Sequence, residues 1–448
     1  MASTYLSRTL GTATNRKKFT ISLWFKKASN SGHQYFLGTG VDGNNNDAFS
    51  IHSTIQSLKI GGYESGTTYE LKTNASLRDN SAWYNAVVSF DSTQSTDTNR
   101  LKMYINGEQV TSFATAVYPS LNYEPLINKN TAHNIGAAYN ASGFFDGSIS
   151  HFHFIDGTAY DASAFGSTDS TTGEWKINTS PSVTYGTNGF FILKDGNTIT
   201  DSSPNSNNFT LGAGTLTKTE DCPSNVFATL NPLIQLTDAT LSNGNNSCAY
   251  GSAGSRAVML GTLGMPSGKY YMEFKISASS YLPECNGSVG VINGSDNSNM
   301  GTYLNQDNSK YQGAGYQLWD GNKNINQTAS AYGATVAVGD IVGMAVDIDN
   351  KALYFHKNGA YQNSGSPTSG ASKTGAIDFS SLTDNGFWFP LISDASGTQT
   401  MSYQCNFGNG YFGTTAVSSA GTNASGIGIF EYDVPTNYTA LSTKGLNL

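Results

Sequence analysis

Glycoside cleavage needs two carboxyl groups about 5–10 Å apart, one acting as acid and the other as nucleophile or base. On a sheet these would sit two apart on one strand, as in E-x-D-x-x-E. Only nine glutamates occur among the 448 residues, and none has that spacing; Glu64 and Glu70 flank a Gly-Thr-Thr loop instead. Neither G-x-S-x-G nor a P-loop is present, so hydrolase and nucleotide chemistry lack support. His151 and His153, in HFHF, fall on one face of a strand, but a metal needs a third ligand that nothing marks. Hydrogen-bonded structural histidines are expected there.

The oxygen-rich stretch from Asp42 to Asp47 (DGNNND) is a Ca²⁺ candidate without the length or closing Glu of an EF-hand loop. A plain Asn/Gly turn is the expected outcome, and no cofactor is expected. Aromatic rings in Gly/Asn loops suit sugars better: rings stack on C–H faces while Asp and Asn fix hydroxyls. Tyr281, Trp319, Asp320 and Asn322 form the candidate ligand patch, with hairpin anchoring by Trp319 as the plainer alternative. Trp24, Trp83 and Trp388 read as core residues.

Elements to hold such groups are strands. Phe19, Ile21, Leu23 and Phe25 alternate with Thr20, Ser22 and Trp24. Trp83–Phe90, Leu101–Ile105 and Ile149–Ile155 follow suit, and no stretch of helical length keeps a 3.6-residue stripe. LKMYINGEQV (101–110) and ALYFHKNGAYQ (352–362) each place Asn-Gly between short alternating runs, the mark of a two-residue hairpin. Each follows another strand, Trp83–Phe90 or Ile341–Ile348, so a meander occurs twice. The expected fold is all-β: two antiparallel jelly-roll or concanavalin-like sandwiches joined by a linker with some strand content.

Composition excludes several classes. Charged residues are 12% of the chain, against about 25% in an average one. Net charge is −8 with no basic cluster beyond Arg16-Lys17-Lys18, so no nucleic-acid partner is expected. No apolar run is long enough for a membrane span, and the N-terminus lacks the apolar region of a secretory signal. Cys222, Cys248, Cys285 and Cys405 form no C-x-x-C pair; free thiols are expected, with a Cys285–Cys405 bridge as the alternative.

The order FTISLWF, WYNAVVSFD, YINGEQV and FFDGSISHFHF resembles a laminin-G/concanavalin-A-like domain over residues 1–165. GKYYME (268–273), GDIVG (339–343), DID (347–349), Asn358-Gly359 and NFG (406–408) resemble a SPRY domain over 242–413. Between them lies a connecting segment, 166–241, in which GFFILK (189–194) returns as a strand to the first sandwich. Its stretch from Asp201 to Phe209 is similar to a segment opening many laminin-G-like modules, with Pro204 and Ser206 in place of glycines. CPSNVFATLNPL (222–233) and FEYDVPTNYTALSTKGLN (430–447) resemble pieces of bacteriophage virion proteins that join two such modules.

That resemblance implies a non-enzymatic virion protein, a tail-fibre or head-decoration component with lectin-like modules. Its implied partners are other virion proteins and a host cell-surface glycan or receptor. A homotrimer is expected, at the virion surface after synthesis in the host cytoplasm, with the tail 414–448 serving attachment or assembly. The rival readings are a cement or connector that binds only other virion subunits, and a polysaccharide-degrading enzyme.

Overall fold

Period-two alternation is realised as strands along the chain, which divides into two units, Met1–Lys218 and Thr219–Leu448. The structure, a computed structural model, describes residues 3–194, 199–217, 219–233, 238–251, 257–282, 285–294, 312–326, 328–384, 386–394 and 399–447. Each unit is an antiparallel β-sandwich.

In the first unit an eight-stranded sheet runs Phe113–Val117, Thr67–Thr73, Ser57–Glu64, Asn45–His52, Gln34–Asp42, Ala132–Ile135, Tyr5–Thr9, Thr210–Ala213. The six-stranded sheet runs Phe190–Ile192, Gly147–Asp156, Lys18–Lys27, Tyr84–Asp91, Leu101–Ile105, Glu108–Gln109. Phe19, Ile21, Leu23 and Phe25 share one core with Phe36, Phe49, Ile60 and Leu71. The other side of the six-stranded sheet is buried as well. There Val87 and Ile155 pack with Phe165, Trp175 and Tyr185 of the segment that follows the Gly147–Asp156 strand.

In the second unit the main sheet runs Ala239–Ser242, Ser247–Tyr250, Met401–Asn406, Lys269–Ser279, Ile341–Asp347, Ala352–Lys357, Ala360–Tyr361. The facing sheet runs Ala257–Leu260, Trp388–Asp394, Gly287–Asn293, Gly313–Gln317, Asn322–Ile325, Thr328–Ala331. Phe274, Val291, Phe355, Trp388 and Tyr403 lie in the core between them.

The segment 166–241, read from the sequence as a connector, divides between the units. Phe190 and Phe209 are buried in the first core, and Ala228 and Leu230 in the second. Ser206 takes a positive φ of 57° where the resembling pattern has glycine. The tail, expected to serve attachment, lies on its own unit. Strand alternation leaves Tyr271, Ala345 and Tyr354 facing out of the main sheet, and Phe430, Val434, Tyr438 and Ala440 cover them. Thr439–Ala440 even pairs in parallel with the Lys269–Ser279 strand.

Both Asn-Gly hairpins form, with φ of 47° and 84° at Asn106-Gly107 and 49° and 86° at Asn358-Gly359. Positive φ at both central residues is what a type I′ turn requires. Asn106 Oδ1 accepts the Asn85 N–H at 2.8 Å while its own N–H donates to Asn85 O at 2.9 Å. Asn358 makes the same reciprocal pair with Ile341, both at 2.8 Å. Each turn is roofed by an aromatic from a covering segment: a Cβ on Gly107 would run into the Trp175 ring, and one on Gly359 would press on Tyr432.

Candidate functional site

The outward face of the eight-stranded sheet keeps access to solvent. Phe49 and Ile51, Leu58 and Ile60, and Tyr69 and Leu71 point into the core. Between them Ser50, His52, Lys59, Gly61, Glu70 and Lys72 point out. A bulge between Tyr35 and Leu37 sends both Phe36 and Leu37 inward and leaves Tyr35 outside. The register then aligns Tyr35, Ser50, Lys59 and Lys72 in one row across four strands. The next row is Gly38, Ala48, Gly61 and Glu70. Three small residues in succession make a shallow floor beside a polar, aromatic rim.

That rim is organised. The His33 ring stacks on Tyr35 with centroids 4.6 Å apart, and His52 lies 5.2 Å from His33. His33 Nε2 and Ser50 Oγ are 3.0 Å apart. His52 Nδ1 accepts the Thr54 N–H at 3.4 Å, which leaves Nε2–H as a donor. Lys59 Nζ pairs with Glu70 at 2.7 Å. Burial first, then His52 and Lys59, holds the His33 imidazole down to about 4. His52 is lowered by burial, then by Lys72 and Lys59. Both rings are therefore neutral near pH 7, and the face offers an aromatic stack, neutral imidazoles, a hydroxyl and two ammonium groups.

The residues singled out from the sequence lie elsewhere. Trp319, Asp320 and Asn322 share the turn between Gly313–Gln317 and Asn322–Ile325. Asp320 accepts both the Asn322 N–H (3.0 Å) and its Nδ2–H (2.8 Å), so each takes up capacity of the other. Trp319 is half-buried, and Tyr281, 38% exposed, sits on a separate loop after Lys269–Ser279. The two segments leave the same end of the sandwich, since Ser288 pairs with Gln317.

The Ca²⁺ candidates do not converge. Asp42 is exposed in its turn and accepts the Asn44 N–H (2.7 Å) and Asn45 Nδ2–H (3.0 Å). Asp47 is buried on the core side with Phe49 and accepts the Ile127 N–H at 2.9 Å; burial pushes its carboxyl up to about 6. Among the described residues no three His, Cys, Asp or Glu side chains are placed to share a metal. His151 sits in a bulge with φ of 48°, and both it and His153 lie against the Phe191 ring, while His153 Nδ1 meets Tyr185 Oη at 2.9 Å. No disulfide joins the four cysteines, all of which are among the described residues.

A second constellation was not foreseen. Asn406, Glu273, Gly343 and His356 align in one row across the main sheet of the second unit. Glu273 accepts the N–H groups of Glu431 (2.9 Å) and Tyr432 (2.8 Å), the Tyr271 hydroxyl (3.0 Å) and Asn406 Nδ2–H (3.2 Å). Gly359 N–H donates to His356 Nδ1 at 3.1 Å, so His356 Nε2–H donates to Tyr271 Oη at 2.6 Å. Glu273 and His356 are fully buried under the tail, so the row fastens the tail and does not meet a substrate. A glutamate on an otherwise apolar strand, GKYYMEFKIS, was the available signal.

Residues 2–164 match the Laminin_G_3 family model, described as the concanavalin A-like lectin/glucanases superfamily. Comparison with curated proteins gives no match. Among solved structures the chain is similar to the SPRY domain of human HERC1, at 16% identity, over 39% of this chain and 96% of that one, with a TM-score of 0.30. It is also similar to the CBM40 of Ruminococcus gnavus IT-sialidase bound to α2,3-sialyllactose, at 16% identity over 30% and 71%, TM-score 0.23. A third is the SAP-like pentraxin of Limulus polyphemus, at 13% identity over 36% and 72%, TM-score 0.27. Likeness at this level carries nothing about ligands.

Proposed function

We propose that the chain is a non-enzymatic, carbohydrate-binding structural protein of a bacteriophage particle, a tail-fibre or head-decoration component that meets a glycan of the host surface. One observation carries the binding half of this reading. The chain covers an outer sheet face of each sandwich with its own segments, yet leaves the Tyr35–Ser50–Lys59–Lys72 row of the first unit open to solvent. A small-residue floor edged by a ring stack and fixed polar groups fits a pyranose chain, whose C–H faces need aromatic partners and whose hydroxyls need donors and acceptors.

The virion half is supported by the two segments that resemble phage proteins. Phe227, in one, lies in the same apolar cluster as Phe430 and Tyr438, in the other. Ala228 N–H donates to Leu441 O at 2.9 Å, and Thr443 N–H to Val226 O at 2.9 Å. Segments some two hundred residues apart in sequence thus form one structural feature. Other virion subunits are its proposed partners, a homotrimer its proposed assembly, and the particle surface its proposed location.

Immunogold labelling of purified particles with serum raised against the full chain tests the location; particles free of the chain would sink it. A glycan array probed with the full chain and with Tyr35→Ala tests the binding. The expected result is a defined glycan set for the native chain and at least a tenfold loss for the variant. Binding that survives Tyr35→Ala unchanged removes this face from consideration.

A further inference from the structure

Two ammonium groups stand directly opposite each other on this face: Lys59 pairs with Lys72 across neighbouring strands. Like charges in that position are destabilising, so a sequence does not place them there for the fold. A single carboxylate, Glu70, is shared out among them. It pairs with Lys59 at 2.7 Å, and among the described residues no carboxylate pairs with Lys72. His33 and His52 edge the same row, and Lys59 and Lys72 act electrostatically on His52. All this occurs in a chain of net charge −8, where positive charge is the rarer commodity. A break of a local rule without structural compensation is the kind of inconsistency that marks a site.

We infer that the ligand of this face is a saccharide bearing carboxylate groups. The inference rests on the glycan-binding reading of the same face and narrows it. A ring of the saccharide lies against Tyr35 over the floor of Ala48 and Gly61. Its carboxylate meets Lys72 and, by competition with Glu70, Lys59. The His52 Nε2–H and Ser50 lie along the row to take hydroxyls. A neutral saccharide gains the stacking alone and leaves the two ammonium groups facing each other.

The test uses the full chain and hexamers of galacturonic acid, hyaluronan and polysialic acid, each beside its carboxyl-reduced form. Calorimetry is expected to show at least one acidic hexamer binding tenfold or more above its reduced partner, with affinity falling as salt rises. Lys72→Gln lowers that affinity at least tenfold and changes the reduced form less than twofold. Glu70→Gln, which releases Lys59, moves affinity for the acidic form the opposite way, upward by severalfold. Binding also raises the titration midpoints of His33 and His52 seen by NMR. Equal affinity for acidic and reduced forms, or acidic binding indifferent to Lys72→Gln, overturns the inference but leaves the glycan reading standing. Failure of all hexamers, acidic and reduced, overturns both.

Discussion

Glu273 is a carboxyl with four hydrogen-bond donors and no cation, and burial outweighs the donors, pushing it up to about 7 from an ordinary 4.5. Its folded value exceeds its unfolded one, so the folded form holds the proton more tightly. The stability tied to this group is fully present below about 4.5 and is lost as pH rises through about 7. Urea denaturation at pH 5 and pH 8 is expected to show the native chain losing roughly 3 kcal/mol relative to Glu273→Gln, which keeps the shape and cannot ionise. Parallel behaviour of the two chains would remove Glu273 as the pH-sensitive group. Gly343, its neighbour in the row, is constrained by contact: a Cβ there would run into the His356 ring. Gly343→Ala is expected to cost about 3 kcal/mol in the same experiment, because strand pairing holds both backbones in place. Sequence reading reached neither group. Glu273 looks like any strand glutamate until pairing brings Asn406 and His356 alongside.

At the scale of elements, the Asn-Gly hairpins show how far local chemistry carries. Two residues that accept positive φ, between alternating runs, fix turn type, strand order and inward residues, and Leu101, Met103, Leu353 and Phe355 are core residues as that pattern demands. The same pattern hid what the asparagine side chains do. Each fastens the strand on the far side of its hairpin, at Asn85 or Ile341. Asn106→Ala and Asn358→Ala should each cost about 1–2 kcal/mol, since a strand N–H loses its acceptor. Asn→Gly, which leaves the turn intact, should cost a similar amount; no loss there would mean the turn conformation alone matters. The open face was half legible. Alternation in FSIH, LKIGG and YELK names its outward residues, but the pairing of Lys59 with Lys72 depends on turn lengths, and Tyr35 faces out only because of a bulge. The Trp319 turn was legible as a turn; its internal Asp320–Asn322 bonds follow from a geometry that composition does not encode.

Across the whole molecule, each sandwich has more apolar strand surface than its two sheets can bury against each other. The excess is covered by chain that the sequence presents as loop, linker or tail, because such segments show no periodicity. A chain ending at residue 413 would expose Tyr271, Ala345 and Tyr354 together. It is expected to bind a hydrophobic dye and to self-associate in sedimentation, while the full chain does neither. A shortened chain that stays monomeric and dye-negative would show that the tail is dispensable for the fold. Architecture was therefore readable from period and turns, whereas the division near residue 218 was not, since it depends on which core buries Phe209 and which buries Leu230.

The ends of each unit lie side by side. Tyr5 pairs with Ala213 in the first, and Phe227 bridges to Ser442 in the second. Both contacts are antiparallel, with the outgoing and incoming chain leaving in the same direction. A pull along the polypeptide therefore opens these contacts bond by bond, as a zipper parts, and does not shear a whole strand at once. Under tension each sandwich yields first at its seam, lengthening the chain while its core and the face of Tyr35 and Lys72 stay folded.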